Sequence, residues 1–183
     1  MTEQVLDHRT QTAYSDPGVH AHLFDAVAPT IESVSAMARN VVAHYRAQAA
    51  HLPAATRTDI DLRWIEAILA VDQQRHGGAP LTSERPLADR VQGCCRDHTL
   101  LAVSCLRHHG VPARSRVGFA SYLSSDDWHF DHVVVEAWLD GRWRRFDPEL
   151  PATPFNTLED PTDIPVTDDS PNRRRCTRMR CAL

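Results

Sequence analysis

Two adjacent cysteines, Cys94 and Cys95, stand in the stretch QGCCRDHTLLAVSCLRHHGVPAR, directly ahead of an apolar repeat with helical spacing. A thiol at a helix N-terminus faces unpaired backbone N–H groups and the positive end of the helix dipole, which favour the thiolate. Downstream, FDHVVVEAWL and RWRRFD read as strands joined by Asp140-Gly141, a strong signal for a two-residue hairpin turn. Counting back from that turn pairs Leu139 with Arg142, Trp138 with Trp143, Glu136 with Arg145 and Val134 with Asp147. His132, Val134, Glu136 and Trp138 then share one face with Trp143, Arg145 and Asp147, and Val133, Val135, Ala137, Leu139 and Phe146 form a core face. His132 and Asp147 become diagonal neighbours about 7–8 Å apart at the backbone, a gap that an imidazole and a carboxylate can close. A thiol, an imidazole to take its proton and a carboxylate to orient the imidazole make a nucleophile for acyl transfer. Taken singly, each has a plainer reading: a buried inert thiol, a satisfied strand histidine, a turn-capping aspartate.

The elements that must position these groups can be read around them. Residues 1–17 read as an extended lead-in ending in the turn-like SDPG. Thr30 can cap a helix through IESVSAMARNVVAHYRAQAAH, which Pro53 ends. Asp59 or Asp61 can cap a second helix, LRWIEAILAVDQQRH, with the stripe Leu62, Ile65, Ile68, Leu69 and Val71, stopped at Gly77-Gly78. The third runs from about Cys95 to His109. Its crowded apolar middle, Leu100 to Leu106, predicts burial on more than one side, with Gly110 as its stop. The segments ARSRVGFASY, FDHVVVEAWL and RWRRFD follow as strands. Helices first and an antiparallel meander after define an α+β fold.

Composition narrows the function. The chain has 183 residues, 42 % apolar and 24 % charged, with a net charge of −4, which fits one ordinary globular domain. An acidic balance offers no basic field for nucleic acid or an anionic membrane, and no apolar run approaches a bilayer-spanning length. The polar MTEQVLDHRTQTAYSDPG lacks a secretory h-region. Five cysteines, two of them adjacent, do not make a disulfide framework, so a cytoplasmic location is expected. His98, His108, His109 and His129 with the cysteine pair match no zinc spacing, so neither a metal nor a cofactor is expected. Arg173–Arg175 and Arg178 read as a solvated basic tail holding Cys176 and Cys181.

GCCRDHTLLAVSCLRHHGVPARSRVGFASY followed by DHVVVEAWLDGRWRRFDPEL resembles the transglutaminase-like superfamily of cysteine enzymes, in a bacterial branch. The motifs are Gly93, Cys95, Arg96 and Asp97; Leu106, Arg107, Gly110, Pro112, Ala113 and Arg114; His132 and Glu136; and Trp143, Asp147 and Pro148. The resemblance spans residues 14–150, leaving 1–13 as a flexible N-terminus and 151–183 as a poorly ordered tail. That tail ends in RRRCTRMRCAL, foreign to the family, and a truncated or frame-shifted end would explain it. The resemblance implies a papain-like core with Cys95 as nucleophile, His132 as base and acid, and Asp147 as orienting group. Backbone N–H groups near Cys95 would hold the oxyanion. Cys94 falls where the pattern is permissive and reads as a packing residue. Arg96 and Asp97 read as ion-pair or capping residues.

The implied function is thiol-dependent acyl chemistry on a peptide, amide or ester, through an acyl-enzyme. Water as the acceptor makes it hydrolysis and an amine makes it acyl transfer, with hydrolysis the leaning. The alternative is a catalytically inactive binding module of the same fold. Tyr122, Trp128 and Phe130 are candidates for the cleft wall or for the core.

Overall fold

The computed structural model describes residues 7–124 and 129–165. Trp128, the arginine cluster, Cys176 and Cys181 lie outside the described residues. After a short 3-10 segment, Gly18–Phe24, come helix α1 (Ile31–Val41), strand β1 (Val42–His44), helix α2 (Ile65–His76), strand β2 (Val91–Gly93) and helix α3 (Cys95–His108). Strands β3 (Ala113–Ala120), β4 (Phe130–Leu139) and β5 (Arg142–Phe146) then form an antiparallel sheet in that order.

Thr30 caps α1 as expected, its hydroxyl accepting the Ser33 N–H. The helix does not continue through residue 51. It stops at Val41, and Val42–His44 turn into a strand that pairs in parallel with Val91–Gly93. The long reading fails because Val41, Val42 and Ala43 suit a helical stripe and a buried strand equally, and the partner that decides is remote in sequence. The second helix also begins late. Residues Ala54–Asp61 form a 3-10 segment and Trp64, not an aspartate, stands at the N-cap. Asp59 instead accepts both guanidinium nitrogens of Arg75 at 2.8 Å and the Gln92 N–H at 3.1 Å. Gly77 closes α2 in the left-handed conformation at φ 59°, where a side chain is strained.

The α3 helix is the spine. Leu101, Ala102, Val103, Cys105 and Leu106 are buried among residues from α1, α2 and the sheet. From β4 and β5, Val135, Ala137 and Phe146 enter the same core, which is the face that the hairpin count assigns. The register is Leu139 with Arg142, Trp138 with Trp143 and Glu136 with Arg145, around a turn with φ 52° at Asp140 and 77° at Gly141. Positive φ at both turn residues matches the right-handed twist of the strands. Glu136 is buried between Arg145 and Arg114, each within hydrogen-bond distance. Burial alone would raise its pKa, but the two guanidinium groups outweigh it and hold the carboxyl below its usual range.

A second buried ion pair holds the loop from α2 to β2. Arg85 and Asp72 expose 1 % and 0 % of their side chains, and Arg85 Nη2 donates to Asp72 Oδ2 at 2.9 Å. The same guanidinium donates to the carbonyls of Pro80 and Ser83. Asp72→Ala leaves a buried cation without its counter-ion, so it should cost about 3–5 kcal/mol. Urea unfolding reads this, and a loss of about 1 kcal/mol, the scale of an exposed pair, would contradict it.

Candidate active site

The site is built where α3 begins. Gly93 is required there by close approach: a Cβ on it would lie 2.9 Å from Val42 Cγ1 and 3.0 Å from Asp97 Cβ. Only a residue without a side chain lets β1 and the first turn of α3 meet at this distance. Asp97 accepts the Cys94 N–H at 2.9 Å and pairs with Arg96, as a capping acid does in the first turn. His98 sits between the carbonyls of Cys94 and Val42, each 3.1 Å from a ring nitrogen, and so ties β1 to the helix start. Burial pushes its pKa down, against the pull of the two carbonyls, which favour a hydrogen on each ring nitrogen.

Cys95 is the first residue of α3. Its sulfur meets the backbone N–H of Val133, the residue after His132. His132 is buried on β4 and its Nε2 lies 2.7 Å from Asp147 Oδ2. Because a carboxylate only accepts, Nε2 carries the hydrogen, which leaves Nδ1 with the lone pair. Asp147 Oδ2 also accepts the Tyr122 hydroxyl at 2.9 Å, and Oδ1 accepts the Glu149 N–H at 3.0 Å. Arg39 of α1 donates to the carbonyls of Pro148 and Leu150 and pins this segment behind the imidazole. Burial pushes the His132 pKa down, but the Asp147 hydrogen bond and charge more than reverse this, and the net shift is upward. Burial, and then Asp147, drive the Tyr122 hydroxyl up, so it stays a neutral donor.

Cys94 and Cys95 share a hydrogen bond. It brings the Cys94 pKa down to about 7, against the opposing effects of burial and Asp97. The same bond, with burial, pushes the Cys95 thiol well above a free cysteine. The shared hydrogen bond makes the first proton leave the pair more readily, and the second less readily, than from a free cysteine.

Two further groups that motif reading did not single out lie close to this cluster. Burial, then the Asp147 charge, raise the Glu149 pKa to about 7, and Glu149 Oε2 is buried without a hydrogen-bond partner. Ligand atoms of His132, Asp147 and Glu149 lie within 4.8 Å of one another, so these three could hold a cation, which would occupy the imidazole. His44, at the end of β1, brings Nε2 to 3.9 Å from Glu149 Oε1. Local sequence carries no signal for His44; Glu149 in DPEL has only its place beside Asp147.

A buried helix headed by cysteine, packed on an antiparallel sheet that carries histidine and aspartate, is the papain-like arrangement. The model of the transglutaminase-like superfamily core matches residues 24–148, well over half of the chain, and the chain belongs to that superfamily of thiol-dependent enzymes. Among solved structures it is similar to a proposed cysteine protease from Cytophaga hutchinsonii, with a TM-score of 0.50 and 17 % identity. The match covers 89 % of this chain and 48 % of that one, so the chain spans about half the length of that neighbour. No curated protein matches the sequence. Among the described residues no helix is long and apolar enough to cross a membrane.

Proposed function

We propose that the chain catalyses thiol-dependent acyl chemistry on an amide or ester, with Cys95 as nucleophile, His132 as base and acid, and Asp147 as orienting group. The observation that carries this is the buried 2.7 Å His132–Asp147 bond on the strand whose next residue, Val133, turns its backbone N–H to the sulfur at the head of α3. His132 Nδ1 accepts the Cys95 proton as the sulfur attacks the carbonyl carbon and the carbonyl electron pair moves to oxygen. The oxyanion collapses, the bond to the leaving group breaks, and the imidazolium returns the proton to that group. Water then gives its proton to His132 and attacks the thioester. The acid is released and the Cys95 thiol reforms. Superfamily membership and the fold shared with a proposed cysteine protease favour a peptide or amide substrate.

A second reading makes Cys94 the attacking sulfur. Its lowered pKa favours it, and its N-cap place at the helix entrance is the observation against it. Incubation with p-nitrophenyl acetate, followed by peptide mass mapping, separates the two. The expected result is acetyl on Cys95, retained in Cys94→Ala. Acetyl on Cys94 makes the second reading correct. Acetylation of both no faster than free cysteine leaves a binding module.

A further inference from the structure

We infer that His44 is a catalytic residue of the same site: its Nε2–H, with the backbone N–H of Cys95, forms the oxyanion hole. The inference rests on the thiol-enzyme reading above and adds a group that the motifs do not contain.

The tautomer is fixed by the fold. His44 Nδ1 accepts two backbone N–H groups of the following turn, from Ala47 at 3.1 Å and from Arg46 at 3.3 Å. A nitrogen that accepts must hold its lone pair, so the hydrogen of the neutral ring sits on Nε2. Burial, with the nearby His98 and His132, pushes the His44 pKa down to about 4, which keeps the ring neutral at physiological pH. Its approach to Glu149 is therefore no ion pair, and 3.9 Å is too long for a hydrogen bond.

The placement is equally constrained. His44 pairs in register with Gly93, the residue before the two cysteines, and the Tyr45 N–H donates to the Gly93 carbonyl at 2.9 Å. The His44 N–H donates to Gln48 Oε1 at 2.8 Å. The ring is thus held on both sides while Nε2 points to Glu149, which lies within 4.8 Å of His132 and Asp147. The side chain is 19 % exposed, open enough for a substrate oxygen to reach it. Asp97 already occupies the Cys94 N–H. The next N–H of the helix start belongs to Cys95, as geometry requires of a first-turn group. Glu149, which Nε2 faces, also bears electrostatically on Cys95, so a fixed, partly desolvated donor stands in the neighbourhood where an oxyanion on the Cys95 adduct would develop.

Two reactions of Cys95 separate this role from others. Acetylation by p-nitrophenyl acetate passes through a tetrahedral oxyanion, whereas alkylation by iodoacetamide displaces iodide and forms none. His44→Asn keeps an acceptor near the Nδ1 position, so it preserves the turn, but loses the Nε2 donor. His44→Gln can place an N–H near the Nε2 position.

The expected result for His44→Asn is acetylation slowed by about 10²–10³-fold, the size of losing one oxyanion donor, with alkylation unchanged. His44→Gln should recover most of that loss. A purely structural role gives the reverse order, with the Asn variant active and the Gln variant impaired, and overturns the inference. Loss of both reactions together in His44→Asn also overturns it, because the thiol itself would then be affected. If the Asn variant does not fold, the Gln variant decides: acetylation and alkylation both near wild type support the role, and a lost acetylation with intact alkylation overturns it. If wild-type Cys95 shows neither reaction selectively, the thiol-enzyme reading fails first, and the inference falls with it.

Discussion

Replacing His132 with alanine should slow acylation of Cys95 by about 10²–10⁴-fold at neutral pH, the range for removing a general base. Because the thiolate and not the thiol is the nucleophile, the half-buried Cys95 sulfur needs another group to take its proton before it attacks. Unlike the His44 variants, His132→Ala should slow iodoacetamide as well, since alkylation also needs the thiolate. Both reactions should recover when the pH rises or when free imidazole is added, because the truncation leaves room beside Asp147 for a small base. Stopped acylation assays with and without imidazole check this. Activity within about ten-fold of wild type, below the range for a general base, would remove His132 from the mechanism.

Asp147→Asn should lower acylation by about 10²–10⁴-fold through the tautomer rather than the charge alone. The carboxylate accepts from His132 Nε2 and so keeps the Nδ1 lone pair free for the thiol. An amide can donate to Nε2 instead, which moves the ring hydrogen to Nδ1 and removes the base. The change also has a signed pH signature in stability. In the wild type the His132 pKa is raised. Its contribution is therefore fully present below the ordinary histidine value of about 6.5, and is lost as the pH rises through the folded pKa. Without the Asp147 charge, burial dominates and the folded pKa falls below the unfolded one. Protonation then favours unfolding, so the variant should lose more stability at pH 5 than at pH 8. Thermal melts across that range read the sign, and an equal loss at both ends would refute the coupling.

What could be read in advance depended on how local each signal was. The α3 helix carries a long apolar period, a cysteine head and a glycine stop, and the β4–β5 hairpin carries Asp140-Gly141; both elements lie where those signals put them. Strand β1 carries no such mark. Its three residues extend the apolar spacing of α1, and only pairing with Val91 across the chain makes them a strand. His44 was invisible for that reason. Glu149 reaches the imidazole because the chain turns at Asp147, whose Oδ1 accepts the Glu149 N–H. Asp59 has the residue type of a helix cap, yet it is spent on Arg75 and Gln92 because a remote guanidinium is the stronger partner. Tyr122, open between cleft and core from sequence, has its hydroxyl on Asp147.

The parallel pairing of β1 with β2 has a consequence for how the protein comes into being. The two strands are separated by the whole of α2 and its flanking segments, and the imidazole and the aspartate come from two further places in the chain, well after the sulfur that follows β2. Contacts so distant in sequence form late, after the entropy of closing long loops has been overcome. During synthesis Cys95 leaves the ribosome well before His132 and Asp147, so a nascent chain carries a thiol without its base. Half-made or partly unfolded copies would then lack the base, and the acyl chemistry proposed above would arrive only with the completed fold.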